Sequence, residues 1–99
     1  MIITMLLIQA GLGRAALDWS KCLDQAAAQY ATVSKESAPD IASASFGKCA
    51  AKEQAVRDDE AYRLQDIGGT WADLDRLMLR VKQMQRDRLI ALVIEARSK

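Results

Sequence analysis

The positions of the two cysteines constrain this chain more than any other feature. Cys22 and Cys49 flank a turn signal that runs from Val33 to Pro39, and the midpoint between them falls within that turn. If helices flank the turn, each cysteine lies about 20 Å along its helix from the turn. Two helices that fold back on each other bring such thiols together. The pair therefore predicts a helical hairpin.

The composition favours one small helical domain. The chain has 99 residues, of which 51% are apolar and 5% aromatic, and this length supports a single domain with a modest core. A net charge of +1 gives no overall field that would draw the chain to nucleic acid. Residues 17–70 hold six Lys/Arg against nine Asp/Glu, whereas residues 71–99 hold seven against four. We expect the basic last segment to lie against the acidic middle, in the same chain or in a neighbour.

Residues 1–16 have the pattern of a secretory signal peptide. Met1 to Ile8 is almost wholly apolar, and small residues follow, so cleavage is predicted near Ala15. The apolar stretch is too short for a transmembrane helix, which needs about 20 residues. The stretch lacks the Lys or Arg that usually precedes the apolar part of a signal peptide. The alternative interpretation is an ordinary buried N-terminal helix. The prediction leaves residues 17–99 as one helical domain in the periplasm or outside the cell.

An even cysteine count in a short exported chain predicts a disulfide between Cys22 and Cys49. In a cytosolic chain the same residues would more often be buried free thiols. The prediction of a disulfide and the prediction of export therefore depend on each other. Gly47 lies two residues before Cys49, and in a helix interior it costs about 1 kcal/mol relative to Ala. Avoidance of a clash beside the disulfide is one interpretation of this glycine. Small residues on the facing surfaces would let the helices approach: Ala26, Ala27, Ala42 and Ser45.

Apolar residues recur at helical spacing on both sides of the turn. The first helix is predicted over residues 17–32, and the second runs without interruption over residues 38–67. Ser37 is the predicted N-cap of the second helix, with Pro39 in its first turn, and Gly68–Gly69 ends it.

A long C-terminal helix is predicted over residues 70–97, with Thr70 and Asp73 as its capping pair. Together with the hairpin of residues 17–67 it makes an all-α, three-helix bundle. Trp19 and Tyr30 lie on the inward stripe of the first helix, so we expect them in the core and not on an exposed platform. The C-terminal helix has one apolar stripe that should pack on the second helix: Trp71, Leu74, Met78, Val81, Leu89, Leu92 and Ala96.

A second set of apolar residues on the C-terminal helix lies away from that stripe. Leu79, Ile90 and Ile94 point to other sides of the helix, and Val93 belongs to the same apolar run. Scattered apolar residues are common on protein surfaces, which is one interpretation. The other is an interaction face formed by Leu79, Ile90, Val93 and Ile94, for a dimer or a partner.

The residue types for catalysis are sparse. The chain has no histidine, which removes the commonest general base and metal ligand. Two cysteines without histidine cannot form an ordinary zinc site, and their spacing is not that of a CxxC redox pair. The acidic run Asp58–Asp59–Glu60 could hold a cation, but pairing with Arg57 and Arg63 on a solvated helix face is favoured. We therefore expect no catalytic residues, no metal site, no cofactor and no enzyme activity.

The arginines of the C-terminal helix are spread around it and interrupted by aspartates. A solvated face with local ion pairs is the favoured interpretation. Contact with an anionic membrane or an acidic partner is the alternative, and nucleic acid is not expected. These arginines are Arg76, Arg80, Arg86, Arg88 and Arg97.

The stretch from Asp18 to Glu53 resembles small uncharacterised exported helical proteins of Gram-negative bacteria that carry one cysteine pair. The residues that carry the resemblance are Trp19–Ser20–Lys21–Cys22, Ser37–Ala38–Pro39 and Ala44–Ser45–Phe46–Gly47–Lys48–Cys49. Residues 88–97 are also similar to the tail of such sequences. The resemblance covers about half of the chain and implies a periplasmic compartment without implying a mechanism.

These patterns predict a non-enzymatic exported helical protein that acts through protein–protein contacts, with an unidentified protein or a second copy as partner. The alternative is a peripheral membrane or ligand-carrying module that uses the basic amphipathic C-terminal helix.

Overall fold

A computed structural model describes residues 13–98, and this part of the chain is all-helical, as the composition predicts. Helix α1 spans Gly13–Val33, α2 spans Ala38–Lys48, α3 spans Ala50–Asp66 and α4 spans Trp71–Arg97. Most of the predicted leader, residues 1–12, lies outside the described residues.

Helix α1 begins four residues before the predicted start at Leu17. Gly13 has a φ of 58°, a left-handed conformation that glycine adopts without steric penalty. Ala15 and Ala16 follow it and pack against the core. Alanine is the best helix former, so the helix extends back to the glycine.

Side-chain caps begin the helices where the sequence predicts them. The Ser37 hydroxyl accepts a hydrogen bond from the Asp40 amide at 3.3 Å. At the start of α4 the Thr70 hydroxyl accepts from the Asp73 amide at 3.2 Å, and the Asp73 carboxylate accepts from the Thr70 amide at 2.8 Å. This reciprocal pair satisfies two amides that the first turn of a helix leaves free. Gly68, with a φ of 74°, follows the end of α3.

The single helix predicted over residues 38–67 is wrong, because the chain is interrupted at Cys49. The backbone of Cys49 has φ −102° and ψ 20°, outside helical values, and it separates α2 from α3. The Ser45 hydroxyl donates to the Ile41 carbonyl at 2.8 Å, a bond that bends helices. Gly47 lies between that serine and the break, and Gly/Ser pairs are common sites of kinks.

Helices α1 and α2 are antiparallel and are joined by the predicted Cys22–Cys49 disulfide, whose Cα atoms are 6.0 Å apart. The facing residues Ala26, Ala42 and Ser45 are buried. Their small side chains allow the close approach that the bridge needs.

Helix α4 lies parallel to α1 and antiparallel to α2 and α3. Against α1, the Gln85 amide donates to the Ser20 hydroxyl at 2.7 Å, and Arg88 pairs with Asp24 one turn further along both helices. On the second arm, the Lys82 ammonium lies 3.3 Å from the Glu53 carboxylate of α3. At the turn that joins the arms, the Arg97 guanidinium donates to the carbonyl oxygens of Glu36 and Ser34 at 2.6 and 2.7 Å. The long C-terminal helix therefore covers both arms of the hairpin.

The core lies where α1, α2 and α4 meet. Trp19 is fully buried, 6.1 Å from the Phe46 ring centre, whereas Tyr30 is half-buried. On α4 the inward stripe contains Leu74, Met78 and Leu89, as expected. The largest fully buried side chains are Trp19, Leu23, Ile41, Leu74, Leu89 and Val93.

The ends of the predicted α4 stripe are wrong. Trp71 and Ala96, the first and last residues of that stripe, are exposed, whereas Val93, which was assigned to the interaction face, is fully buried. Val93 follows Leu89 by four residues, so both lie on one face of the helix. Ser20 of α1 lies beside Gln85 of α4, and the two helices are parallel. The first residue of α1 is therefore level with residue 78 of α4, and the first turns of α4 extend beyond the end of α1.

Candidate functional site

The predicted interaction face on α4 does not form one exposed surface. Leu79 and Ile94 are 71% and 58% exposed, but Ile90 is half-buried against the core and Val93 is fully buried. The assignment of Val93 to an exposed face is therefore wrong. Leu79 and Ile94 lie about 22 Å apart along the helix, too far to act as one anchor.

The largest exposed apolar side chains lie instead around the turn between α3 and α4. We call residues 57–76, which contain this turn, the hairpin end. Tyr62, Ile67 and Trp71 are 70%, 78% and 71% exposed there. Sequence periodicity did not predict the exposure of Trp71, because this residue fits the inward period of α4 and is exposed where the hairpin end extends beyond α1.

An open cleft of about 390 Å³ crosses the hairpin end, lined by Ala61, Leu64, Gln65, Gly69, Thr70, Trp71 and Leu74. The turn that shapes it is held by the Gly69 amide, which donates to the Leu64 carbonyl at 2.7 Å. A Cβ on Gly69 would lie 2.8 Å from Leu64 Cδ2 and 3.0 Å from Leu64 Cβ, so a larger residue would force the Leu64 side chain to shift. The cleft is apolar on one wall and polar at the turn.

The hairpin end is acidic. It holds six Asp/Glu and three Arg, which gives a net charge of −3. Arg57 binds Asp75 at 2.5 Å, and Arg76 binds Asp73 at 2.6 Å. Asp66 is exposed and has no cationic partner among the residues that the structure describes.

The acidic run of the hairpin end forms ion pairs with Arg63, as expected, but the expected pairing with Arg57 is wrong because Arg57 binds Asp75. Arg63 lies 3.9 Å from Asp59 and 3.7 Å from Glu60, and Asp58 accepts from the Gln54 amide at 2.9 Å. Residues 13–98 contain no group of three or more side chains placed to hold a metal ion.

The capping carboxylate of α4 is electrostatically stabilised. The Thr70 amide, the Arg76 guanidinium and the Thr70 hydroxyl hold the pKa of the Asp73 carboxyl below its ordinary value. The negative charge also suits the N-terminus of a helix, where the backbone dipole is positive.

A second surface lies between α2 and α4, and we call it the basic groove. Its lining residues are Ser43, Phe46, Leu79, Lys82, Gln83 and Arg86, around an open volume of about 340 Å³. The Lys82 ammonium lies 5.3 Å from the Phe46 ring centre and 3.3 Å from the Glu53 carboxylate. The Arg86 guanidinium donates to the Ser43 hydroxyl at 3.0 Å, and no carboxylate of the described residues pairs with it.

The other arginines of α4 are mostly occupied within the fold. Arg76, Arg88 and Arg97 bind a carboxylate or backbone carbonyls. Arg80 is exposed and belongs to no ion pair among the described residues. Free positive charge on α4 is therefore concentrated at Arg80 and Arg86.

None of the helices in residues 13–98 has the length and apolar character needed to cross a bilayer. No protein-family model matches the sequence, and neither a curated protein nor a solved structure matches the chain.

Proposed function

We propose that this protein is a non-enzymatic, exported helical protein that acts through protein contacts made at its hairpin end. The observation that supports this most is the exposure of Tyr62, Ile67 and Trp71 at one end of the bundle. The three residues lie within nine positions of one another around the turn, and apolar side chains exposed on one part of a surface are typical of sites that a partner covers. Aromatic residues supply much of the binding energy at such sites.

The disulfide supports the exported location. Structural disulfides persist in oxidising compartments and are rare in the cytosol. Cleavage near Ala15 removes only the first residues of α1 and leaves Trp19, Cys22 and Leu23, which anchor this helix in the core. The proposed mature chain therefore loses the contacts of Ala15 and Ala16 but keeps the largest buried side chains of α1.

Site-specific photo-crosslinking in the native compartment tests the contact. A photoreactive side chain replaces Ile67, which directly follows α3, in one variant and Lys52, an exposed residue in the first turn of α3, in a control. The proposal predicts protein adducts from position 67 and none, or far fewer, from position 52. Equal adducts from both positions, or none from either, contradict it.

A second candidate function is peripheral binding to anionic membranes through α4. Arg80 and Arg86 lack carboxylate partners among the described residues and lie near the exposed Leu79, which favours this candidate. Flotation with vesicles that contain or lack anionic lipid tests it. The candidate predicts flotation only with anionic lipid and its loss in the variant Arg80→Glu/Arg86→Glu.

A further inference from the structure

We propose that the partner of the hairpin end is a second copy of this chain, whose basic groove receives it. The inference rests on the proposed function, since it takes the hairpin end as the contact surface and names what covers it.

The two surfaces carry opposite charge. The hairpin end has a net charge of −3, whereas the charged residues that line the groove are the cations Lys82 and Arg86, of which Lys82 pairs with Glu53. The whole chain has a net charge of only +1, so two copies repel each other weakly. Such complementary patches steer association and fix its orientation.

Each surface contains a charge that the fold leaves unpaired among the described residues. Asp66 on the hairpin end has no cationic partner, and Arg86 in the groove has only the Ser43 hydroxyl. Lys82 already shares its charge with Glu53. Docking pairs the Asp66 carboxylate of one copy with the Arg86 guanidinium of the other.

The apolar parts of the two surfaces also suit each other. Phe46 and the exposed Leu79 line the groove, whose volume of about 340 Å³ admits an aromatic ring or a branched aliphatic side chain. Trp71 and Ile67 project from the hairpin end to fill it. An aromatic anchor with charged groups around it is a common form of binding hot spot.

A single copy cannot make this contact with itself. Trp71 and Arg86 lie on the same straight helix, about 22 Å apart, and the helix holds them at that distance. A hairpin end that docks in the groove must therefore come from another copy. Because the two surfaces differ, copies associate either as a closed pair with two equal contacts or as an open chain.

Two variants with complementary defects test the proposal in the oxidised protein. The first, Ile67→Ser/Trp71→Ser, removes the apolar anchors of the hairpin end and keeps the groove. The second, Leu79→Ser/Arg86→Glu, alters the groove and keeps the hairpin end. Val33→Ser and Arg80→Glu are matched controls, since Val33 is equally exposed at the other end of α1 and Arg80 lies outside the groove.

The molar mass in solution is measured by light scattering over a concentration series, at low and high salt. The wild-type chain is expected to exceed the monomer mass as concentration rises, and less so at high salt. Each double variant is expected to lose at least about tenfold in self-affinity, and the controls to keep it. An equimolar mixture of the two variants is expected to form pairs, because one intact groove then meets one intact hairpin end.

A wild-type chain that stays monomeric at every concentration and low salt overturns self-docking, and so does a mixture that fails to pair. Circular dichroism checks that both variants are still helical. The salt dependence of wild-type self-association tests the charge complementarity without relying on any variant. Photo-crosslinked adducts from position 67 with a mass other than two copies keep the proposed function while overturning this inference. A lack of adducts overturns both.

Discussion

Cys22 is bonded to Cys49, the residue at which α2 ends and α3 begins, with their Cα atoms 6.0 Å apart. The bridge therefore joins α1 to the bend in the second arm of the hairpin. It fixes the direction in which α3 leaves the core, and so the position of the hairpin end.

Removal of the disulfide should destabilise the fold strongly. The bridge closes a loop of 27 residues, and in the chain-entropy model this stabilises the native state by about 3.5 kcal/mol. Urea unfolding of Cys22→Ser/Cys49→Ser should show a loss of that size, and reduced wild-type protein should match the variant. An unchanged midpoint in both would contradict a structural role for the bridge.

Gly47→Ala should stabilise the protein by up to about 1 kcal/mol. A Cβ at this position meets nothing within 4 Å, so the interpretation of Gly47 as avoiding a clash is wrong. Gly69→Ala is the contrasting variant and should be destabilising, since its Cβ would lie 2.8 Å from Leu64 Cδ2. Thermal unfolding should move the midpoints of the two variants in opposite directions; a fall with Gly47→Ala would mean that the bend itself needs glycine.

Adjacent residues on α4 should respond very differently to truncation. Val93 is fully buried and Ile94 is 58% exposed. Val93→Ala should cost about 2 kcal/mol of unfolding free energy, and Ile94→Ala less than about 0.5 kcal/mol. Urea unfolding measures both changes, and the reverse order would place Val93 on the surface.

The start of α4 should weaken in acid. The pKa of Asp73 is held below its ordinary value by the Thr70 amide and then by Arg76. The carboxylate therefore stabilises the folded helix start fully above the unfolded-state pKa, and this stabilisation is lost as the pH falls through the folded-state pKa. Amide hydrogen exchange in the first turn of α4 should therefore increase below about pH 4. Asp73→Asn should show faster exchange at neutral pH and a smaller change with acid.

Local signals in the sequence predicted local structure well. Ser37 and Thr70 begin helices because an N-cap depends on a few neighbouring residues, and Gly68 ends one for the same reason. The cysteine pair predicted the hairpin because a disulfide has a short fixed reach. The break at Cys49 escaped prediction, since both flanking segments have helical periodicity and the bend arises from Ser45, Gly47 and a bridge to another helix.

The candidate site was harder to predict because it depends on where neighbouring helices end. Periodicity places Trp71 and Leu74 on one face of α4, yet only Leu74 is covered. Val93 was assigned to an exposed face because it belongs to an apolar run, yet its four-residue spacing from Leu89 places it in the core. The exposure of the hairpin end is therefore a property of the assembled bundle.

If the protein works as an exported, disulfide-linked bundle, its intact mass after recovery from the native compartment shows both features at once. We expect a chain cleaved near Ala15 with a mass two hydrogens below that of the reduced chain. A full-length mass with two free thiols would contradict it.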